Sequence, residues 1–369
     1  MIIAGEASGD MHGARLAQAI RQRRQEIRLF GVGGNAMQAA GVDRIIDAKT
    51  LSVVGITEVF SKLPVIYRAI GTVRKALKRL KPDLLILIDF PDFNFRVAAI
   101  AKRLGIPVLY YISPQIWAWR QGRVKTIKRL VDHMAVILPF EAAFYRKHRV
   151  PVTFVGHPLL DGHLPGTDPP RQPPTTGEPT VGLLPGSREK EVSTLLPTML
   201  EAALIIKRRL PSARFLISCA ETVDAALVGD LIRRHAPSLE PEVIHGPVAE
   251  VFAASRLLVA ASGTVTLQAA LYGVPTVIVY KVSPLSYWLG ERLIKVSHIG
   301  IVNLIAQGSL MPELIQDDAN PQTIAQTVLG MLADPEAYDH MRRSLLGVRS
   351  LLGGAGASGR VADIALQLC

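Results

Sequence analysis

The sequence predicts an α/β protein of two Rossmann-like domains, each a parallel sheet wrapped by helices, facing one another across a cleft. Three observations carry this. Apolar runs alternate with amphipathic stretches: Asp83–Ile88, Pro107–Ile112 and His133–Ile137 in the first half, then Thr180–Leu184, Arg214–Ser218, Leu257–Ala260 and Pro275–Tyr280. These runs are apolar on both faces, which is the signature of parallel strands covered by helices. The chain has 369 residues, 49% of them hydrophobic, more than one ordinary core accommodates and consistent with about two domains of ~150 residues. Between the two sets of strands lies the stretch 165–179, dense in Pro, Gly and Thr, as linkers are. The expected organisation is residues 1–164, the linker, residues 180–340, and a helical tail at 341–369 that crosses back to the first domain.

Taken in order, the first strand is short, because only Met1–Ala4 precede the turn Gly5-Glu6-Ala7-Ser8-Gly9-Asp10, whereas strands usually have about five residues. Either the strand starts upstream or its edge is trimmed. The turn opens a helix from about Met11 to Arg23, and Ser8 or Asp10 serves either as its N-cap or as part of a site at the sheet's carboxyl edge. Gly31-Val32-Gly33-Gly34 reads as a glycine-rich turn after a strand but lacks the full G-x-G-x-x-G spacing, so a nicotinamide cofactor is poorly supported. The stretch Val53–Arg68 carries more apolar residues than one helix face needs, including Val59, Phe60, Leu63 and Ile66, and is followed by Arg74, Lys75, Lys78, Arg79 and Lys81. It is either a buried helix with a basic neighbour or an interfacial patch presented to acidic lipid.

Asp89 ends the apolar run Ile86-Leu87-Ile88, at the same edge as Glu6. A carboxylate there is partly desolvated, its proton affinity rises, and it suits a general base toward a hydroxyl. Asp92 reads as the cap of the following helix. Ser113–Arg120 is a strand-end loop with two tryptophans, either core packing or a sugar-binding face. His157 reads as a hinge-loop residue. In the second half, Gly182-Leu183-Leu184-Pro185-Gly186-Ser187-Arg188 and Val259–Gln268 repeat one grammar of strand, small-residue turn and helix start. Such turns offer unpaired N–H groups and a positive dipole end to a phosphate, and Arg188 can hold a phosphate bidentately. An enzyme binding a nucleotide diphosphate is the expected class.

The formal charge of +11 invites nucleic acid, yet the cations are scattered, aromatics make up only 6%, and no nucleic-acid motif appears; a membrane surface or anionic substrate is preferred. Two cysteines, Cys219 and Cys369, are too few for a disulfide framework and suggest a reducing compartment. No leader-like start and no run of ~18 apolar residues is present, so a cytoplasmic location is expected. No Asp-x-Asp and no helical His pair occurs, which disfavours a metal.

Ten segments in order resemble one family, the lipid-A-disaccharide synthases, inverting glycosyltransferases of the GT-B fold. They are Ala4–Asp10 (AGEASGD), Val54–Val59 (VGITEV), Ile88–Asn94 (IDFPDFN), Tyr111–Arg120 (YISPQIWAWR), Leu138–Tyr145 (LPFEAAFY), Phe154–Asp161 (FVGHPLLD), Leu184–Val192 (LPGSREKEV), Ala261–Leu267 (ASGTVTL), Asn303-Leu304 and Pro312–Gln316 (PELIQ). The resemblance covers nearly the whole chain. It implies transfer of 2,3-diacylglucosamine from its UDP derivative to 2,3-diacylglucosamine 1-phosphate, with inversion, without metal or cofactor, on the cytoplasmic face of the inner membrane. It further implies Asp89 as the base, Glu6 and Ser8 on the acceptor side, and the turns Gly186-Ser187-Arg188 and Ser262-Gly263-Thr264 on the diphosphate. Asn303, Gln316 and Gln268 would lie on the nucleotide side, and Val59, Phe60, Leu63 and Ile66 would dip into the membrane. Gln268 departs from the family's usual Glu, which replaces a carboxylate that would accept from ribose hydroxyls with an amide. The alternatives are another GT-B UDP-sugar enzyme, such as an N-acetylglucosaminyltransferase or 2-epimerase, and a basic non-catalytic membrane or nucleic-acid binder. A homodimer is left open.

Overall fold

A computed structural model describes residues 1–51, 56–162, 178–282 and 297–369, with the backbone alone for Ala7 and residues 56–63. The chain forms two compact units, Met1–Gly162 with Leu352–Cys369, and His163–Leu351. Most of the linker expected at 165–179 falls outside the described residues.

Unit 1 is built on β1 (Ile2–Ala4), β2 (Phe30–Gly33), β3 (Asp43–Asp47), β4 (Leu85–Ile88), β5 (Val108–Tyr111), β6 (His133–Val136) and β7 (Val152–Phe154). They form a seven-stranded sheet in the order β3-β2-β1-β4-β5-β6-β7, every pair parallel. Strand β1 has three residues but lies inside the sheet between β2 and β4, all of them fully buried. Gly31 and Gly33, expected in a turn, are strand residues instead: Gly31 pairs with Ile2, and a Cβ there would land on the Ile2 carbonyl oxygen. The requirement is close strand packing, not a tight turn.

Unit 2 carries β8 (Thr180–Leu184), β9 (Arg214–Ser218), β10 (Glu242–Ile244), β11 (Leu257–Ala261), β12 (Thr276–Tyr280) and β13 (Glu313–Ile315), in the order β10-β9-β8-β11-β12-β13. It repeats the winding of unit 1, outward to one side and then the other from the first strand. Each sheet therefore has a switch point, between β1 and β4 and between β8 and β11. Helices cover both sheets because their residues are apolar toward either face; the helix Glu189–Arg209, for example, buries Leu195, Leu196, Met199, Leu200 and Ile206 against Val181, Leu183 and Val259.

The tail divides later than position 341. The helix Pro335–Leu351 stays with unit 2, where the Tyr338 hydroxyl donates to the Arg256 carbonyl at 2.6 Å and Leu346 packs beside Gly273. Leu352 begins the return to unit 1, past Gly353 at φ +79°. The helix Ala357–Leu368 then buries Val361, Ala362 and Ala365 in one cluster with Ile2, Leu16, Ala17 and Ile20. Its N-terminus is capped from far along the chain: Asp161 accepts from the amides of Gly356, Ala357 and Ser358 at 2.7, 2.9 and 2.8 Å. Burial alone would raise the Asp161 pKa, but these hydrogen bonds outweigh it and hold it below the ordinary value. Asp161→Ala is expected to cost about 1–2 kcal/mol as a lost cap, read as a melting temperature lower by roughly 2–8 °C. Because the folded pKa is depressed, that difference is present above about pH 4 and disappears as pH falls through the folded value. His157, read as a hinge-loop residue, is buried beside this cap. Its backbone N–H donates to the Leu352 carbonyl at 2.9 Å, its Nδ1 accepts from the Leu159 amide at 3.2 Å, and burial, with the charge of His12, lowers its pKa to about 4.

Candidate active site

In unit 1 the chain leaves β1 and β4 side by side, with Ala4 paired to Ile88. Gly5–Asp10 and Asp89–Asn94 therefore emerge together at the carboxyl edge of the switch point, where open α/β sheets bind ligands. Asp89 and Phe90 both lie in the left-handed region, at φ +45° and +48°, a conformation costing roughly 1–2 kcal/mol for each non-glycine residue. Phe90 is thereby the N-cap of the helix Pro91–Arg103, and its ring rests on Gly5. Asp92, expected as that cap, lies inside the first turn, 3.0 Å from Arg123. Burial raises the Asp89 pKa to about 6, the charge of Glu6 adds to the rise, and the Phe90 amide partly opposes it.

Glu6 and Ser8 are exposed, at the N-cap and in the first turn of the helix Ala7–Arg23. Asp10 caps a different helix from the one expected. Its carboxylate accepts from the amides of Gly34, Ala36 and Met37 at 2.7, 2.9 and 3.1 Å, across the start of the helix Asn35–Ala39.

The tryptophan loop splits its two rings. Trp117 is core: its indole N–H donates to Glu141 at 3.0 Å and its ring meets Phe140 edge-on. Glu141 also accepts from the Ile137 and Leu138 amides, and burial raises its pKa to about 7 despite these donors. Trp119 is 41% exposed, with the Arg120 guanidinium stacked 4.0 Å from its ring.

In unit 2 the two turns again leave neighbouring strands, β8 and β11, paired from Leu257–Val181 to Ala260–Leu184. Gly186 sits at φ +120°, and any side chain there would strike Glu191. Ser187 and Arg188 are exposed, Arg188 serving as N-cap of the helix Glu189–Arg209. The Ser187 amide donates to Glu191 at 3.1 Å and Arg188 pairs with the same carboxylate at 3.2 Å. A carboxylate thus already engages the donors a phosphate would use. Gly263 and Thr264 are exposed and Ser262 is half-buried at the start of the helix Thr264–Leu271, and Gln268 lies half-buried one turn along.

Asn303 and Gln316, expected on the nucleotide side, are turned to other partners. Asn303 is fully buried; its amide donates to the Met311 carbonyl and Glu313, and its oxygen accepts from Leu310 and Met311. Nothing of it remains for a ligand. Gln316 grips the backbone of Val282, accepting its amide at 2.7 Å and donating to its carbonyl at 3.1 Å. Glu313, which sequence reasoning passed over, caps the helix Ile301–Ala306 through the Ile299 and Gly300 amides. Its only sequence signal was its place in the PELIQ segment.

Of the residues expected to contact a membrane, the side chains of Val59, Phe60 and Leu63 lie outside the described residues. Ile66 is partly buried against the unit 1 core, and its neighbours Val65 and Tyr67 are the exposed ones, at 36% and 61%. The expectation for Ile66 is corrected accordingly: this position of the helix Ile56–Leu80 packs inward.

A family model described as lipid-A-disaccharide synthetase matches residues 1–348. The chain belongs to the lipid-A-disaccharide synthetase family. Among its relatives, the lipid-A-disaccharide synthase of Geobacter metallireducens is 46% identical, with 100% of this chain and 96% of that protein covered. That of Syntrophus aciditrophicus is 47% identical, with 100% and 97% covered. The fold agrees with solved structures of low identity: an S. aureus MnaA–UDP co-structure (TM-score 0.68, 12% identity, 100% of this chain and 97% of that chain) and Acinetobacter baumannii MurG (TM-score 0.61, 16% identity, 100% and 98%). Family and fold together make the chain a UDP-sugar-dependent glycosyltransferase of the GT-B class. No helix among the described residues is long and apolar enough to cross a membrane.

Proposed function

We propose that the protein joins two acylated sugars. It transfers 2,3-diacylglucosamine from UDP-2,3-diacylglucosamine to the 6-hydroxyl of 2,3-diacylglucosamine 1-phosphate, giving the β-1,6-linked disaccharide 1-phosphate and UDP. The observation that carries the chemistry is Asp89, a carboxyl at the switch-point edge whose burial brings its pKa to about 6. It is ionised at neutral pH yet basic enough to take a proton in the transition state. As the hydroxyl oxygen bonds to the anomeric carbon, its proton passes to Asp89. The carbon–oxygen bond to UDP breaks on the opposite face and the electron pair leaves with the diphosphate, so the configuration inverts.

The leaving charge is met by Arg188, by the amides of Gly186 and Ser187, and by the Ser262-Gly263-Thr264 turn. Glu6 and Ser8 line the acceptor side and Gln268 receives the ribose, while Asn303 and Gln316 act by holding Met311, Glu313 and Val282 in place. Single-turnover conversion of this donor and acceptor in detergent with EDTA present tests the reading. Disaccharide formation supports it, and UDP binding without product under any condition refutes the acceptor assignment.

The stretch 53–67, rimmed by Arg68, Arg74 and Lys75, is proposed to seat the protein on the cytoplasmic face of the inner membrane, where acylated substrates reside. Changing Val59, Phe60 and Leu63 together to Ser is expected to release the protein from anionic vesicles in a sedimentation assay with its melting temperature preserved. A fall of many degrees would make the stretch core.

A further inference from the structure

We propose that Asn94 and Tyr110 are positioning residues for Asp89: together they clamp the Asp89 carbonyl oxygen and so fix the direction in which its carboxylate leaves the end of β4. The inference deepens the proton-acceptor reading of Asp89 and rests on it. The Asp89 carbonyl accepts two donors at once, the Tyr110 hydroxyl at 2.7 Å and the Asn94 amide at 2.5 Å, and the same amide also reaches the Ile88 carbonyl at 3.3 Å. Both side chains are fully buried. Left-handed backbone at two successive non-glycine residues persists only where surrounding contacts over-determine it. The helix caps after β1 and β8, Glu6 and Arg188, are extended instead, at φ −134° and −122°. Ile112 after β5 and Gln316 after β13 are left-handed singly, at φ +62° and +52°, but among the described residues two successive non-glycine residues in that region occur only at Asp89-Phe90. Among the described residues the buried amide oxygen of Asn94 has no hydrogen-bond partner, an arrangement that weakens the fold and that an apolar side chain would avoid. What Asn94 provides in return is its grip on residues 88 and 89.

A base works only when aimed at its proton within about 2.6–3.2 Å, and a displacement of about 1 Å costs on the order of 10²-fold in rate. Tyr110→Phe removes one donor while keeping the buried ring. It is expected to lower kcat by about 10- to 100-fold, with KM for the UDP-sugar and UDP affinity unchanged, and to move the acid limb of the pH–rate profile. Asn94→Ala should act alike, and the double variant should lose less than the product of the two, since both grip one atom. A purely structural role would lower the melting temperature but leave kcat and the pH profile of the folded enzyme untouched. Unaltered kcat in Tyr110→Phe overturns the clamp, and that variant decides alone if Asn94→Ala fails to fold. Asp89→Asn separates the two readings: if it is inactive while Tyr110→Phe is fully active, the clamp alone falls, and if it retains turnover, both fall.

Discussion

Asp89→Asn is expected to lower turnover by about 10²- to 10⁴-fold, the range a well-placed general base supplies, with UDP affinity preserved. Loss of both together would make Asp89 structural. In the wild type, kcat/KM should fall with pH below about 6, where burial and the neighbouring charge of Glu6 place the Asp89 pKa. Stability should respond in the opposite sense. A carboxyl whose folded pKa is raised favours the folded state fully below its unfolded value and loses that contribution as pH rises through the folded one. The wild type is thus penalised above pH 6, and Asn, which cannot ionise, is not. The rise from 3.8 to about 6 sets an upper limit of roughly 3 kcal/mol. Thermal melts at pH 8 should show the inactive variant more stable than the wild type, with the gap closing toward pH 4. A variant that is equal or less stable at pH 8 would mean that Asp89 is not held at a cost.

Arg188→Ala is expected to weaken UDP binding and to reduce kcat/KM by about 10²- to 10³-fold, the loss typical of one donor aimed at developing charge. The site isolates this effect well. Arg188 is 65% exposed in its side chain and, among the described residues, pairs only with Glu191 in the same turn of helix, and exposed pairs of that kind contribute little stability. Its removal should leave the melting temperature unchanged. Titration calorimetry with UDP and steady-state rates check the two halves of the prediction, and unchanged UDP affinity would take Arg188 off the diphosphate. Arg188→Lys should recover only part, because an ammonium cannot reproduce the bidentate fork.

Parallel strands announce themselves, since continuous apolar runs need no partner to be recognised, and an acid at the end of one, as at Asp89, is conspicuous. The small-residue turns after β8 and β11 were readable as turns for a related reason: their glycines and small residues answer local backbone demands. What escaped the sequence were side chains whose partners are distant. Asp10 looked like the cap of its own helix and serves one that begins 25 residues later, at Asn35. Asp161 looked like the end of a motif and caps residues 356–358. Asn303 looked like a ligand-facing polar group, yet the buried backbone around Met311 takes up its hydrogen bonds, and Gln316 spends one donor and one acceptor on the backbone of Val282. Polarity in a motif says that a hydrogen bond is made, and tertiary packing decides with whom. Asp92 lost the cap position because Phe90 takes left-handed backbone, a property of the clamp around residue 89 that local propensity does not encode.

The division into units also bears on birth of the molecule. Unit 2 is one uninterrupted stretch, His163–Leu351, whereas unit 1 is split into Met1–Gly162 and Leu352–Cys369. During translation the early strands of unit 1 leave the ribosome first, yet Ile2, Leu16 and Ile20 lack Val361, Ala362 and Ala365, the neighbours that complete their cluster. Unit 2 can reach its native state in the meantime, so the first half to be made is the last to be finished. Until the final helix arrives, the face of the nascent chain that will receive it stays open to chaperones and to other chains.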